Sequence, residues 1–445
     1  MSLLIKMVFN MKKYIILAAV ALVASAACSK VEVRNEVPDL KVTFQAANYV
    51  PQTKADGDAQ QTPVSYLNEF KAGEKPYFTA KAYMKGSQVD GYQAFFGANG
   101  EKVYAYASAT ATGEANALVI PDSGTPTVNH WAPSRDYYWP KFEDSYINFL
   151  FWYDSNAQLG PTTPSVADVS GENAKPWTME WKDRPIGTGD NIIYADPAWH
   201  FKQNLTGDAA MYKLNGVTEG VPVLFHHALA QIEFRVYVEP AANMPALSVD
   251  GNNVKDDVAT WTIKLANPEL MIYNQGTLSL IAEEATTLNT KGTWKWNRPE
   301  GVTVGSVDVP EWVPTEGATA NNILNTYTTN GFPVKAIALT GDGSDGLYLL
   351  KNQSVLPQHL DNVSLKFDLD IVSAYGNNSN HEILSIEIPM GAGTTAKPGF
   401  ATPGTEWKLN TKYIYTIKII PSQNKVLFDP AVEKAWDTYE KELTY

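Results

Sequence analysis

The sequence predicts an all-β protein in which sheets pair over apolar cores as β-sandwiches. Three observations lead there. Several segments alternate apolar and polar residues with period two. Gly and Pro are spread throughout, 30 and 27 of 445 residues, and aromatic residues are plentiful, with 12 Trp and 23 Tyr. Alternation gives a strand one apolar face, and that face needs a second layer to cover it. Frequent Gly and Pro supply turns between the strands.

The first element in chain order is a leader. From Met11, the better start because Met1 to Asn10 add nothing to the pattern, come Lys12 and Lys13, the apolar run Tyr14 to Val23, and the small residues Ser25, Ala26 and Ala27. Residues 11–27 thus read as a signal peptide. The run is shorter than the roughly 20 residues of a membrane-spanning helix. Cys28, the one cysteine of the chain, follows directly. That position suits cutting and acylation of a bacterial lipoprotein, although Ser25 stands where a Leu is usual. A secreted protein with a free, reactive cysteine is the alternative. More than one acyl chain, at about 0.8 kcal/mol per buried CH2, would make a lasting anchor.

Strands follow. In QIEFRVYVEP, Ile232, Phe234, Val236 and Val238 share one face. In SLKFDLDIV, Leu365, Phe367, Leu369 and Ile371 do so, and in EILSIEIP, Leu384, Ile386 and Ile388. The same reasoning predicts strands at 41–46, 77–84, 146–153, 191–195, 221–226, 259–266, 346–350, 412–420 and 425–428. Polar stretches at 54–63, 155–190 and 313–332 read as loops or linkers. One helix is predicted near the end, in DPAVEKAWDTYEKEL, with Asp429 as cap, Pro430 in the first turn and Val432, Trp436 and Tyr439 along one face. A length prior of about 150 residues per domain allows two or three domains. The expected division places an N-terminal domain at 28–290 and a C-terminal one at 291–445, with a boundary near 215 as the rival.

Composition narrows function. With 48 acidic and 35 basic residues, the net charge of −13 argues against a nucleic-acid or anionic-membrane binder working by charge. The six histidines show no metal-ligand spacing. His226 and His227 fall on opposite faces of a strand, and His227 reads as a core-edge histidine with a hydrogen-bond partner. There is no Gly-x-Ser-x-Gly elbow and no phosphate-cradling loop. Asp342 and Asp345 in TGDGSDGL lack the closing Glu of a calcium loop, and a tight hairpin is expected there. No catalytic residue, cofactor or metal is therefore expected; glycoside cleavage would need two carboxylates placed across one bond.

Several phrases together resemble the fimbrillin family, the lipoprotein-type pilins of Gram-negative gut and oral anaerobes. They are YYWPKFEDSYINFLFWY (137–153), DNIIYA (190–195), VPVLFHHALAQIEFRV (221–236) with Phe225, His227, Ala228 and Leu229, SVLPQ (354–358), and WKLNTKYIYTIKI with VLFDPAVEKAW (407–436). The resemblance implies two transthyretin-like β-sandwich domains and export to the outer membrane as a lipoprotein. It implies a trypsin-like maturation protease that removes the first strand, leaving a groove for the terminal strand of another fimbrial subunit. Main-chain hydrogen bonds would then supply affinity and alternate side chains register.

On that resemblance, residues 28–54 carry the removable strand, with Leu40, Val42, Phe44 and Ala46 at alternate positions. Cleavage would fall between Lys54 and Ala55, where the family usually has Arg before Ala. Arg34 is a further basic residue, but cutting there would leave the strand in place. The last residues, DTYEKELTY, are mostly charged and do not alternate, which suits a tip, anchor or accessory subunit better than a stalk repeat. Such a subunit would support adhesion to a host or bacterial surface ligand.

The rival reading is a surface lipoprotein that binds glycans as a monomer. Trp131, Tyr137, Tyr138, Trp139, Trp152 and Tyr153 cluster in sequence and could stack on sugars. They could equally fill wide cores. INFLFWY reads as a strand buried on both faces, which favours the core.

Overall fold

The computed structural model describes residues 41–48, 64–65, 75–86, 91–107, 128–142, 144–187, 189–202, 213–214, 217–218, 220–238, 248–249, 252–253, 260–297, 310–315, 322–325, 332–333, 347–375, 378–391, 406–420 and 425–435. Among these the fold is all-β, with one 3-10 turn at Leu360–Asn362. No helix among them is long and apolar enough to cross a membrane.

The largest sheet closes on itself. Its order runs Val221–His227, Phe44–Asn48, Val128–Pro133, Glu101–Ala107, Tyr77–Lys85, Tyr146–Asp154 and Ile192–Phe201, and the last pairs back to Val221–His227. The alternating strands lead one to expect sheets paired as a sandwich; here one sheet closes into a ring. The ring closes because Val221–His227 has partners on both sides, Phe44–Asn48 along one edge and residues 193–195 along the other. Closure gives each of the seven a hydrogen-bonded neighbour on both sides. Val42, Phe44, Phe78, Ala80, Val103, Trp131, Phe149, Phe151, Val223 and Phe225 fill the interior.

A second layer covers part of the outside. Trp177–Pro185, Gln275–Ala282, Lys295–Trp296 and Val313–Pro314 form another sheet. Its Trp177, Met179, Trp181, Leu278 and Leu280 share a core with Tyr83, Leu150, Trp152 and Tyr194. Tyr146–Asp154 is thus buried on both faces, as INFLFWY predicts. The 155–190 stretch, expected as loop, holds the strand Trp177–Pro185. Its Trp-x-Met-x-Trp alternation carries the signal, since all three are buried while Thr178 and Glu180 between them are only partly covered. The 313–332 stretch likewise contains short strands, Val313–Pro314 and Asn322–Asn325, which gain their partners from residues distant in sequence.

Two further sheets face one core. One orders Leu347–Val355, Ala230–Val238, Thr411–Ile420 and Lys425–Ala435. The other orders Asn322–Asn325, Thr260–Ile272, Ser364–Tyr375 and Asn378–Pro389. Ile232, Phe234, Tyr415 and Ile417 meet Leu265, Leu365, Phe367 and Leu369 between them. Strands before residue 290 therefore hydrogen-bond with strands after it, Ala230–Val238 with residues 412–419 and Thr260–Ile272 with residues 364–374.

The predicted helix at 429–443 is corrected. Lys425–Ala435 is a strand pairing with Thr411–Ile420, and residues 436–443 lie outside the described ones. A short isolated helix is marginal, while a neighbouring strand offers every second backbone group a partner. Pro430 is accommodated because this is an edge strand and the register shifts at that point, between the pairs Ile414↔Val432 and Thr416↔Asp429.

Candidate functional site

Phe44–Asn48 is the first strand of the ring, and its surroundings make the site. Along one edge it runs parallel to Val221–His227, from Phe44↔Val221 to Asn48↔Phe225. This is the one parallel seam in the ring, and parallel pairing is slightly weaker per residue. Along the other edge the ladder to Val128–Pro133 is a single pair, Phe44↔Trp131. Val64–Ser65 pairs antiparallel with Ala47 and Asn48 further along. Lys41 bridges Tyr138, and the Val42 amide donates to the Tyr137 carbonyl at 2.8 Å.

The alternation predicted for this strand sets its inner face. Val42 is 1% exposed and Phe44 0%, and Ala46 packs partly buried against the same core. Phe44 meets Phe78, Phe149 and Phe151 edge-on, with ring centroids 5.8, 5.4 and 5.7 Å apart. T-shaped pairs of this kind are worth about 0.5–1.5 kcal/mol each beyond burial. The backbone of Phe44 is also crowded from behind. Gly220 sits at φ +108°, and a Cβ there would lie 2.9 Å from the Phe44 nitrogen and carbonyl carbon. The neighbouring Val221 amide donates to the Thr43 carbonyl at 2.8 Å.

The outer face is polar. Lys41 pairs with Asp136 at 2.8 Å, both about half exposed, and the hydrogen bond to Asp136 raises the Lys41 pKa. Arg135 binds Glu101 and the Tyr137 hydroxyl, each at 2.5 Å, and the Tyr137 hydroxyl donates to Glu101 at 2.6 Å. Burial, with help from Glu101, pushes Tyr137 up to about 12. A cavity of about 120 Å³ lies between residues 41–43 and 132–137. The start of the strand is therefore less tightly covered than Phe44.

Of the sequence-predicted residues, Val42, Phe44 and Ala46 come together on one inward face. Cys28, Arg34, Leu40, Lys54 and Ala55 lie outside the described residues, as do Asp342, Asp345 and the segment DTYEKELTY. Gly220 and the Phe78–Phe149–Phe151 nest were not singled out in the sequence. Their one signal was a glycine directly before VPVLF and phenylalanines at alternate positions of INFLFWY.

The aromatic cluster that suggested sugar stacking is mostly interior. Trp131, Trp139, Trp152 and Tyr153 are buried, Tyr137 packs partly buried against the barrel core, and Tyr138 is 44% exposed. His227 is buried, with its ring nitrogen Nδ1 3.1 Å from Asn191 Oδ1 and its amide donating to Asn410. A second buried polar group lies on the outer side of the ring. Glu284 accepts from Tyr92 and from Trp177 at 3.0 Å, and it is 2.6 Å from His200 Nε2. Asn148 donates to Tyr92 at 3.0 Å and accepts from the His200 amide at 2.8 Å. Among the described residues no group of three or more His, Cys, Asp and Glu is placed to hold a metal ion.

No family model and no curated protein matches the chain. Solved structures similar to it include a fimbrial protein from Bacteroides vulgatus ATCC 8482, at 14% identity and TM-score 0.42 over 89% of this chain and 99% of that one. A proposed cell adhesion protein from Bacteroides uniformis ATCC 8492 has 14% identity and TM-score 0.31 over 89% and 99%. Another from Bacteroides ovatus ATCC 8483 has 10% identity and TM-score 0.34 over 91% and 100%. Similarity at this level assigns no function.

Proposed function

We propose that this chain is a structural subunit of a cell-surface fimbria, a tip, anchor or accessory piece, that assembles by replacement of its first strand. A trypsin-like protease cuts after Lys54, residues 28–54 leave, and an extended strand of another fimbrial subunit takes the vacated place. Before the cut, lipid on Cys28 holds the chain at the outer membrane. The two transthyretin-like domains of the resembling family belong to this reading, as does adhesion to a host or bacterial surface ligand.

The observation that carries it is the position of Phe44–Asn48. The strand stands between two partners, contributes Phe44 to the core just after Val42, and comes from the segment next to Lys54. Taking it out would uncover an apolar slot bordered on both sides by unpaired backbone groups, a template for strand addition. Burying a Val and a Phe side chain is worth roughly 3–6 kcal/mol together, so the slot would hold its occupant firmly and would not persist empty. The role is structural rather than catalytic. Monomeric glycan binding is less well supported, because stacking needs exposed rings and four of the six in the cluster are interior.

The test is the mature N-terminus, read by mass spectrometry on protein sheared from cells and on protein left in the membrane. A start at Ala55 in the sheared fraction is expected. Lipid-modified Cys28 in both fractions would overturn strand removal.

A further inference from the structure

We propose that the slot chooses its occupant by one aromatic side chain at the Phe44 position, and that Gly220 fixes where along the strand that side chain must fall. The proposal rests on the strand-replacement reading and names the partner that reading leaves open.

The selectivity comes from shape and contact. Phe44 is fully buried, and Phe78, Phe149 and Phe151 surround it edge-on. These three rings project from Tyr77–Lys85 and Tyr146–Asp154, which stay when the first strand leaves. The hole left behind is therefore lined by rings and shaped for another ring. An aliphatic side chain would leave part of it empty and lose the edge-on contacts, and alanine would leave nearly all of it empty. Two residues before, Val42 sits in the same core, and two residues after, Ala46 lies only partly buried, so these positions discriminate less.

Register comes from the backbone. The Phe44 backbone lies so close to Gly220 that no Cβ fits between them, and the Val221 amide donates to the Thr43 carbonyl. An occupant must press its main chain against Gly220 at the residue that carries the ring. It must also run parallel to Val221–His227, as Phe44–Asn48 does. The partner is thus an extended strand of the form aliphatic-x-Phe-x-small. The segment DTYEKELTY of this chain does not have that form.

The experiment uses the full chain with a specific protease site introduced between residues 49 and 63, cut after folding so that both pieces remain. Fluorescent peptides with the sequence of residues 40–48 are then offered in excess, and their uptake is followed. The native peptide should enter. Its Phe44→Leu version should enter at least tenfold less well and Phe44→Ala at least a hundredfold less, while Val42→Ala should lose less than Phe44→Ala. Gly220→Ala in the protein should weaken uptake of every peptide by a similar factor. Phe44→Leu and Phe44→Ala peptides entering within threefold of the native one would overturn the ring selectivity and leave strand replacement standing. Failure of every peptide, the native one included, would overturn both.

Discussion

Gly220 and Phe44 touch through their backbones: a Cβ on Gly220 would sit 2.9 Å from the Phe44 nitrogen, and Gly220 holds φ +108°, where side-chain-bearing residues are strained. Gly220→Ala in the uncut protein should therefore lower the urea midpoint and speed amide exchange at residues 44–48. Gly171 is the control. It also has positive φ, +82°, but nothing lies within 4 Å of its absent Cβ. Gly171→Ala should cost about 1 kcal/mol from strain alone, and Gly220→Ala clearly more. Equal losses would mean that the close approach has no energetic consequence.

Phe44 should behave as a core residue despite its place in the first described strand. Truncation to Ala should destabilise by about 3–5 kcal/mol, and Phe44→Leu by less. Chemical denaturation measures both. A loss below about 1 kcal/mol for Phe44→Ala would show that the ring contributes little to holding the strand.

Arg184 and Asp154 form an interior ion pair, 2.8 Å apart with side chains 3% and 2% exposed, and Asp190 adds a contact at 3.1 Å. It ties Trp177–Pro185 to the end of Tyr146–Asp154. Burial pushes the Asp154 carboxyl up while Arg184 pulls it down. Arg184→Met should cost about 3–5 kcal/mol, because a buried carboxylate is left without its counter-charge. Adding Asp154→Asn should recover part of that. A double-mutant cycle by urea denaturation reads the coupling, and additive losses would deny it.

Glu284 gives a pH dependence of definite sign. Burial pushes its pKa up, but hydrogen bonds from Tyr92, Asn148, His200 and Trp177 outweigh burial and hold it below the ordinary value. A carboxyl depressed in the folded state stabilises above its unfolded pKa of about 4.3 and loses that contribution as pH falls through the folded value. Glu284→Gln should thus lower the thermal midpoint at pH 7, and the gap to the unchanged protein should narrow below about pH 4. A gap independent of pH between 7 and 3.5 would show that the carboxylate's charge is not what matters.

The strands that face a core on one side were legible from the chain alone. Ile232, Phe234 and Val236, or Leu365, Phe367 and Leu369, alternate with polar residues, and the structure buries them accordingly. The inward set Val42, Phe44 and Ala46 was legible for the same reason. Trp177–Pro185 was hidden because its polar positions and the Pro and Gly around it resemble a loop. In Lys425–Ala435 the first four residues read as strand, but from Asp429 on Ala, Glu and Lys favour helix locally, and a partner strand overrides that preference.

By itself, then, the sequence determined which residues alternate, hence the all-β class and the inward face of each strong strand, because side-chain direction in a strand follows from the period of two. Tertiary structure alone decided which strands are neighbours. It closed the ring at Val221–His227, joined strands across residue 290, placed three phenyl rings around Phe44 and set Gly220 against its backbone. Hydrogen bonding between strands is main chain to main chain, so it carries almost no side-chain signature, and partners more than a hundred residues apart are chosen by how whole apolar faces fit together.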